Sequence, residues 1–212
     1  MDPKSVNRIF ILSPAYCGGI RARLLMSERS SFPLARQLRD HGASLGSLFS
    51  FMSGLYFRGK LAYASAFANP PLNLPGTLVI TPGSGLRSPD EILAIDELKQ
   101  IAGVEVDERN PLYREPLERD ARRIAESIPG VCEAVLLGSV ATSKYLGILA
   151  DTFRERLRFP ADFVGRGDMS RGGLMLRCVA TGEELTYVEL TGTVRRGPRP
   201  PKLPKLNEDR GG

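Results

Sequence analysis

Three short apolar runs constrain this chain more than any other feature. They are Arg8-Ile9-Phe10-Ile11-Leu12-Ser13, Thr77-Leu78-Val79-Ile80-Thr81 and Glu133-Ala134-Val135-Leu136-Leu137-Gly138. A strand that is apolar at every position, rather than at every second one, has to be covered on both faces, as in the parallel sheets of α/β proteins. Between the runs, apolar residues recur at helical spacing. Phe32, Leu34, Ala35 and Leu38 follow Ser31, and Leu61, Ala64 and Phe67 follow the aromatic-rich stretch that begins near residue 44. Ile92, Ile95, Leu98 and Ile101 follow Ser88-Pro89-Asp90-Glu91, and Leu117, Ala121, Ile124 and Ile128 mark a helix from Pro116 to Ile128. Alternation of this kind predicts one Rossmann-like α/β domain over residues 1–192. Its mostly parallel central sheet is flanked by helices, with the strands at 9–13, 77–81 and 133–138 parallel and neighbouring. Residues 173–179 and 185–190 read as a closing antiparallel hairpin about Thr181-Gly182. Residues 193–212, rich in Pro, Arg and Lys without periodicity, read as a disordered, flexible basic tail.

Composition narrows the function classes. A hydrophobic share of 42% with 25% charged residues suits a chain that buries a core. No apolar run approaches the ~20 residues that span a bilayer, and residues 1–4 lack a secretory apolar stretch. Three cysteines (Cys17, Cys132, Cys178) and a single histidine, His41, offer neither metal-ligand spacing nor a His-based triad. The expectation is a cytoplasmic protein without metal or cofactor. A net charge of +5, to which Arg195, Arg196, Arg199, Lys202 and Lys205 of the tail contribute, permits a nucleic-acid partner without requiring one.

In open α/β sheets, ligands bind beyond the carboxyl ends of the strands. The three strand ends here are chemically alike: Ser13 with Gly18 and Gly19, Thr81 with Gly83 and Gly85, and Gly138 with Ser139 and Thr142, with Cys17 and Lys144 as further ligand-binding candidates in the first and third loops. Parallel neighbouring strands would bring these groups to one crevice. The stretch 159–178 contains Asp162, Gly165-Arg166-Gly167-Asp168, Ser170-Arg171 and Gly172-Gly173. Glycines free backbone N–H groups to converge and arginines add forked donors, so Arg166, Ser170 and Arg171 are expected to wall the crevice against an anion. The competing reading is a glycine-rich turn leading into a strand. Asp162 and Asp168 are the candidate catalytic carboxylates, and either could instead orient Arg166 and Arg171 by salt bridges. No full phosphate-binding fingerprint is present. The aromatics of residues 44–68 lie beside Arg58 and Lys60 and could stack bases, but their helical spacing reads as core.

Several segments carry a resemblance. They are Ile11 to Gly19, Leu55-Tyr56-Phe57-Arg58-Gly59-Lys60-Leu61-Ala62-Tyr63-Ala64, Val79 to Asp90 with Gly85-Leu86, and Val135 to Tyr145. In this order they are similar to the YaaA-like group of bacterial proteins and their relatives, including domains appended to tRNA-guanine transglycosylases. The resemblance implies an α/β domain associated with DNA binding, oxidative stress or modified-base metabolism, without a settled catalytic mechanism. Three functional readings follow. The first is a nucleotide- or nucleic-acid-binding protein using the crevice and the arginine-rich loop. The second is a nucleoside- or base-processing hydrolase of the glycosidic-bond type, with Asp162 or Asp168 as catalytic carboxylate. The third is a protein that contacts a protein partner through its tail. An enclosed pocket would favour the second, an open groove the first.

Overall fold

The computed structural model describes residues 6–141 and 143–190 and the positions 197, 198, 200, 201 and 203. At its centre lies β1 (Arg8–Leu12), parallel to β3 (Thr77–Thr81) on one side and to β6 (Glu133–Leu137) on the other. The three apolar runs are therefore neighbours, as their composition requires. The full order is β4-β3-β1-β6-β7-β8, with β4 at Gly85–Arg87, β7 at Leu157–Pro160 and β8 at Tyr187–Glu189. The inner four strands are parallel, and the two edge strands run antiparallel to them. A separate antiparallel ribbon pairs β2 (Ala43–Ser44) with β5 (Ile92–Leu93).

Successive side chains of a strand point to opposite faces, so β1 feeds two cores. Phe10 and Leu12 enter one, and Ile9 and Ile11 the other. The first layer holds α1 (Ile20–Met26), α2 (Pro33–Asp40), α3 (Leu45–Ser53), α4 (Leu55–Phe67), α5 (Ile95–Gly103) and α8 (Asp168–Thr181). The second holds α6 (Pro111–Ser127) and α7 (Leu146–Phe153). The aromatic stretch forms α3 and α4, and Phe49, Phe57 and Tyr63 are fully buried. The core reading of that stretch is the observed one.

Local chemistry explains where the elements differ from expectation. Helix α6 starts at Pro111 rather than Pro116, because the Asn110 side chain caps it by accepting from the Leu112 N–H at 3.1 Å. Helix α5 starts at Ile95. The preceding Ser88–Glu91 segment is a turn, in which Glu91 accepts from the Ser88 N–H at 2.9 Å. Residues 173–179 are not a strand. They lie in α8, which Gly182 ends in a left-handed cap at φ +72°. The antiparallel closure of the sheet is made by β7 and β8, with α8 between them in sequence. The tail reading falls mostly outside the described residues, and so does Thr142.

Candidate functional site

From β1 the chain proceeds to β3 on one side, and from β6 it proceeds to β7 on the other. The loops leaving β1 and β6 thus diverge, which opens a crevice at their carboxyl ends, the usual binding position of a doubly wound sheet. A cavity of about 390 Å³ lies there. Its walls include Ser13 just past β1, Ser139 just past β6, Lys144 and Tyr145 ahead of α7, Tyr56 of α4 and Asp168, the first residue of α8.

Behind Ser13 sits a lysine. Lys60 is 1% exposed, and its Nζ donates to the Ser13 carbonyl at 2.6 Å and to Ser13 Oγ at 2.9 Å. The ammonium lies 4.6 Å from the Tyr56 ring centroid and 4.7 Å from that of Phe57. Burial pushes this amine down to about 7; Asp168 opposes the shift and Arg171 adds to it. Ser13 is itself 6% exposed and lines the cavity. The Tyr145 hydroxyl accepts from the Ser139 N–H at 2.8 Å. Burial pushes its phenol up, while hydrogen bonding to Ser13 and Ser139 pulls it back. Gly138 makes this convergence possible. A Cβ there would lie 2.8 Å from the Tyr145 hydroxyl and 2.9 Å from the Ser13 Cβ.

Tyr56 is 9% exposed, and its hydroxyl has no hydrogen-bond partner among the described residues. Burial pushes its phenol up, and the nearby Arg171 guanidinium opposes this. Buried hydroxyls are ordinarily satisfied, so the unpaired Tyr56 hydroxyl is an unmet donor within a residue that lines the cavity.

The close approach of α4 and α8 assembles this wall. A Cβ on Gly59 would lie 2.7 Å from the Gly172 carbonyl oxygen, and one on Gly172 would lie 2.8 Å from that of Leu55. Gly172 is therefore a helix-packing residue and does not cradle an anion. The contact sets Tyr56 and Lys60 of α4 beside Asp168 and Arg171 of α8.

The expected site residues divide accordingly. Ser13, Ser139, Lys144 and Asp168 come together on the cavity wall. Thr81 does not, because β3 turns directly into β4: its hydroxyl donates to the Val79 carbonyl at 3.1 Å, and Gly83 occupies the tight turn at φ +76°. Cys17 is half-buried, its sulfur directed at the Ala15 carbonyl, and burial pushes its thiol up to about 11. Gly18 and Gly19 lead into α1, outside the lining. Arg171 is 7% exposed, and its guanidinium donates to the Phe163 carbonyl at 3.1 and 2.9 Å and lies 3.6 Å from Asp168. It is a latch between α8 and the turn before it. Arg166 donates to Ser170 Oγ at 3.3 Å, and both lie outside the lining, as does the exposed Asp162.

Sequence reasoning passed over Lys60, Tyr56 and Tyr145 as site residues. The available signal was Lys60 itself, a cation within the apolar stripe Tyr56, Phe57, Tyr63 and Ala64 of one helix. A second hollow of about 770 Å³ runs along α6 and α7, but its charges are of both signs, as in the Arg114–Glu118 pair at 2.6 Å. No buried unpartnered polar atom faces it among the described residues. Among the described residues no cluster of three or more His, Cys, Asp or Glu could hold a metal ion, and no helix is long and apolar enough to cross a membrane. No protein-family model matches the chain, and neither a curated protein nor a solved structure matches it.

Proposed function

We propose that the crevice between β1 and β6 binds a nucleotide or nucleoside. The observation that carries this reading is the position of the cavity at the point where the strand order reverses, with Ser13, Ser139 and Lys144 on its wall. A volume of about 390 Å³ lies within the range of small-ligand pockets, roughly 300–1,000 Å³. It suits one nucleotide better than a polynucleotide strand. The Lys144 ammonium and the serine hydroxyls are donors suited to phosphate or ribose oxygens. Tyr16, largely exposed at the cavity mouth, offers an aromatic face for a base. The segments that resemble the YaaA-like group contain Ser13, Tyr56, Lys60 and Tyr145, and the modified-base metabolism that this resemblance implies accords with a nucleotide or nucleoside ligand.

The hydrolase reading keeps one specific support: Asp168, 67% exposed at its side chain, stands on the cavity wall. Titration calorimetry with nucleosides, mononucleotides and short oligonucleotides tests the binding reading. A mononucleotide should bind, and Lys144→Ala should weaken it by about tenfold while leaving nucleoside affinity nearly unchanged, as expected for one lost charge contact. Absence of heat with every nucleoside and mononucleotide would remove the reading. Chromatography of nucleosides incubated with the protein tests the hydrolase. Base release that Asp168→Asn abolishes would establish it, and no release would dismiss it.

A further inference from the structure

We propose that Ser13 is a nucleophile activated by Lys60, and that the cavity carries out acyl transfer from an ester or similarly activated acyl group through a covalent Ser13 intermediate. This rests on the crevice being a ligand site, but not on the ligand being a nucleotide. The arrangement has the order such chemistry needs. Ser13 lines the cavity, whereas Lys60 does not and stands behind it, 2.9 Å from Oγ and anchored on the Ser13 carbonyl. A buried amine in that position can exchange a proton with the hydroxyl and with groups that bond or leave beside Oγ, but it is set too far back to attack a substrate itself, which assigns Lys60 as base and Ser13 as nucleophile.

The surroundings favour the neutral amine. Lys60 is desolvated, flanked by the rings of Tyr56 and Phe57 on its own helix and by Arg171 on α8, while Asp168 on α8 acts in the opposite sense. Tyr145, ahead of α7, faces Ser13 from the other side. Tyr56, whose buried hydroxyl is an unmet donor, belongs to the same wall.

In the first step the Ser13 hydroxyl proton passes to the neutral Lys60 amine, Oγ attacks the acyl carbon, and the carbonyl π pair moves onto oxygen. Collapse restores the carbonyl and breaks the bond to the leaving group, which takes the proton back from Lys60. Water or an acceptor alcohol then repeats the sequence on the acyl-serine, with Lys60 again as base. It releases the acid or new ester and regenerates Ser13.

Treatment of the full chain with an alkyl fluorophosphonate tests the pair. Attack by Oγ on phosphorus expels fluoride and leaves a stable adduct, located by tandem mass spectrometry. One adduct per chain is expected on Ser13, forming with a half-maximal rate near neutral pH. Because replacing Lys60 can unfold the protein, Ser13→Cys supplies a second measurement, since the substitution is nearly isosteric and keeps the lysine. Alkylation of the new thiol by iodoacetamide should be half-maximal at least one pH unit below the ~8.5 of a free thiol. No adduct on Ser13 at any pH between about 6 and 9, or a thiol that titrates at or above the free value, overturns the proposal. Nucleotide binding with an inert Ser13 removes this pair and leaves the binding reading. A Ser13 adduct on a protein that binds no nucleotide does the reverse.

Discussion

Lys60 concentrates the residue-scale physics, because folding takes its ammonium out of water and returns one carbonyl, one hydroxyl and two aromatic faces. In the unfolded chain a lysine holds its proton up to about 10.4. In the folded protein Lys60 releases it at about 7. Between these values the unfolded state binds more protons, so stability rises with pH through that window and the full penalty is present below it. The gap corresponds to a penalty on the order of 5 kcal/mol at acid pH. Lys60→Met lacks this titration. The difference in melting temperature between variant and wild type should therefore shift in favour of the wild type from about pH 6 to pH 9, and a difference independent of pH would contradict the depressed amine. Ser13, Ser139, Lys144 and Asp168 were legible beforehand, because strand ends and small polar residues are local signals. Lys60 carried only its place within the apolar stripe of α4 as a signal, and a lysine there looks like a solvated one until the helix has a neighbour. Arg171 was misread for the related reason that a guanidinium beside glycines suggests an anion, whereas this one is satisfied by the Phe163 carbonyl.

At the scale of elements, the contact between α4 and α8 decides whether the wall of the cavity exists. Gly172 meets the backbone of Leu55, which cannot move aside, whereas a Cβ on Gly173 would find only the Leu203 Cδ1 at 3.7 Å. Two adjacent glycines in one helix therefore have opposite expectations. Gly172→Ala should destabilise by about 1–3 kcal/mol through overpacking. Gly173→Ala should be neutral or stabilise by up to about 1 kcal/mol, since alanine is the better helix former. Urea denaturation of both variants checks the contrast, and equal effects would mean that the crossing is not tight. A similar dependence holds β4 to α6. Buried Asp120 accepts from the Leu86 N–H at 3.1 Å, so Asp120→Ala leaves that donor unpaired and should cost about 1–3 kcal/mol. Asp120→Asn, which keeps an acceptor, should cost less in the same denaturation assay. The parallel strands were readable because their short runs are apolar at every position and are bounded by turn residues. Helix α8 was not, because Gly172 and Gly173 lower its local helix propensity, and only packing against α4 explains why glycine is needed at Gly172.

For the molecule as a whole, the strand order places the crevice between β1 and β6, and hence decides what size of ligand can use it. The chain's net charge of +5 would serve a polynucleotide reader as well as it serves solubility. Of the arginines expected to meet a phosphate backbone, however, Arg171 is engaged inside the protein on the Phe163 carbonyl, and the half-buried Arg166 donates to Ser170 Oγ away from the cavity lining. Lys144 is the exposed cation on the cavity wall. A protein that neutralises several phosphates of a nucleic acid loses roughly 10³-fold or more in affinity between about 50 and 200 mM salt, because each contact releases counterions. A mononucleotide held by one lysine and a set of neutral donors has little of that dependence. Its affinity should fall by less than about tenfold over the same range, and Lys144→Ala should flatten even that slope. Calorimetry at the two salt concentrations separates the cases. If an oligonucleotide binds more tightly than a mononucleotide and loses a thousandfold as salt rises, the ligand lies along an outer surface rather than in the crevice. The assignment of Ser139 and Lys144 to its recognition then fails with it.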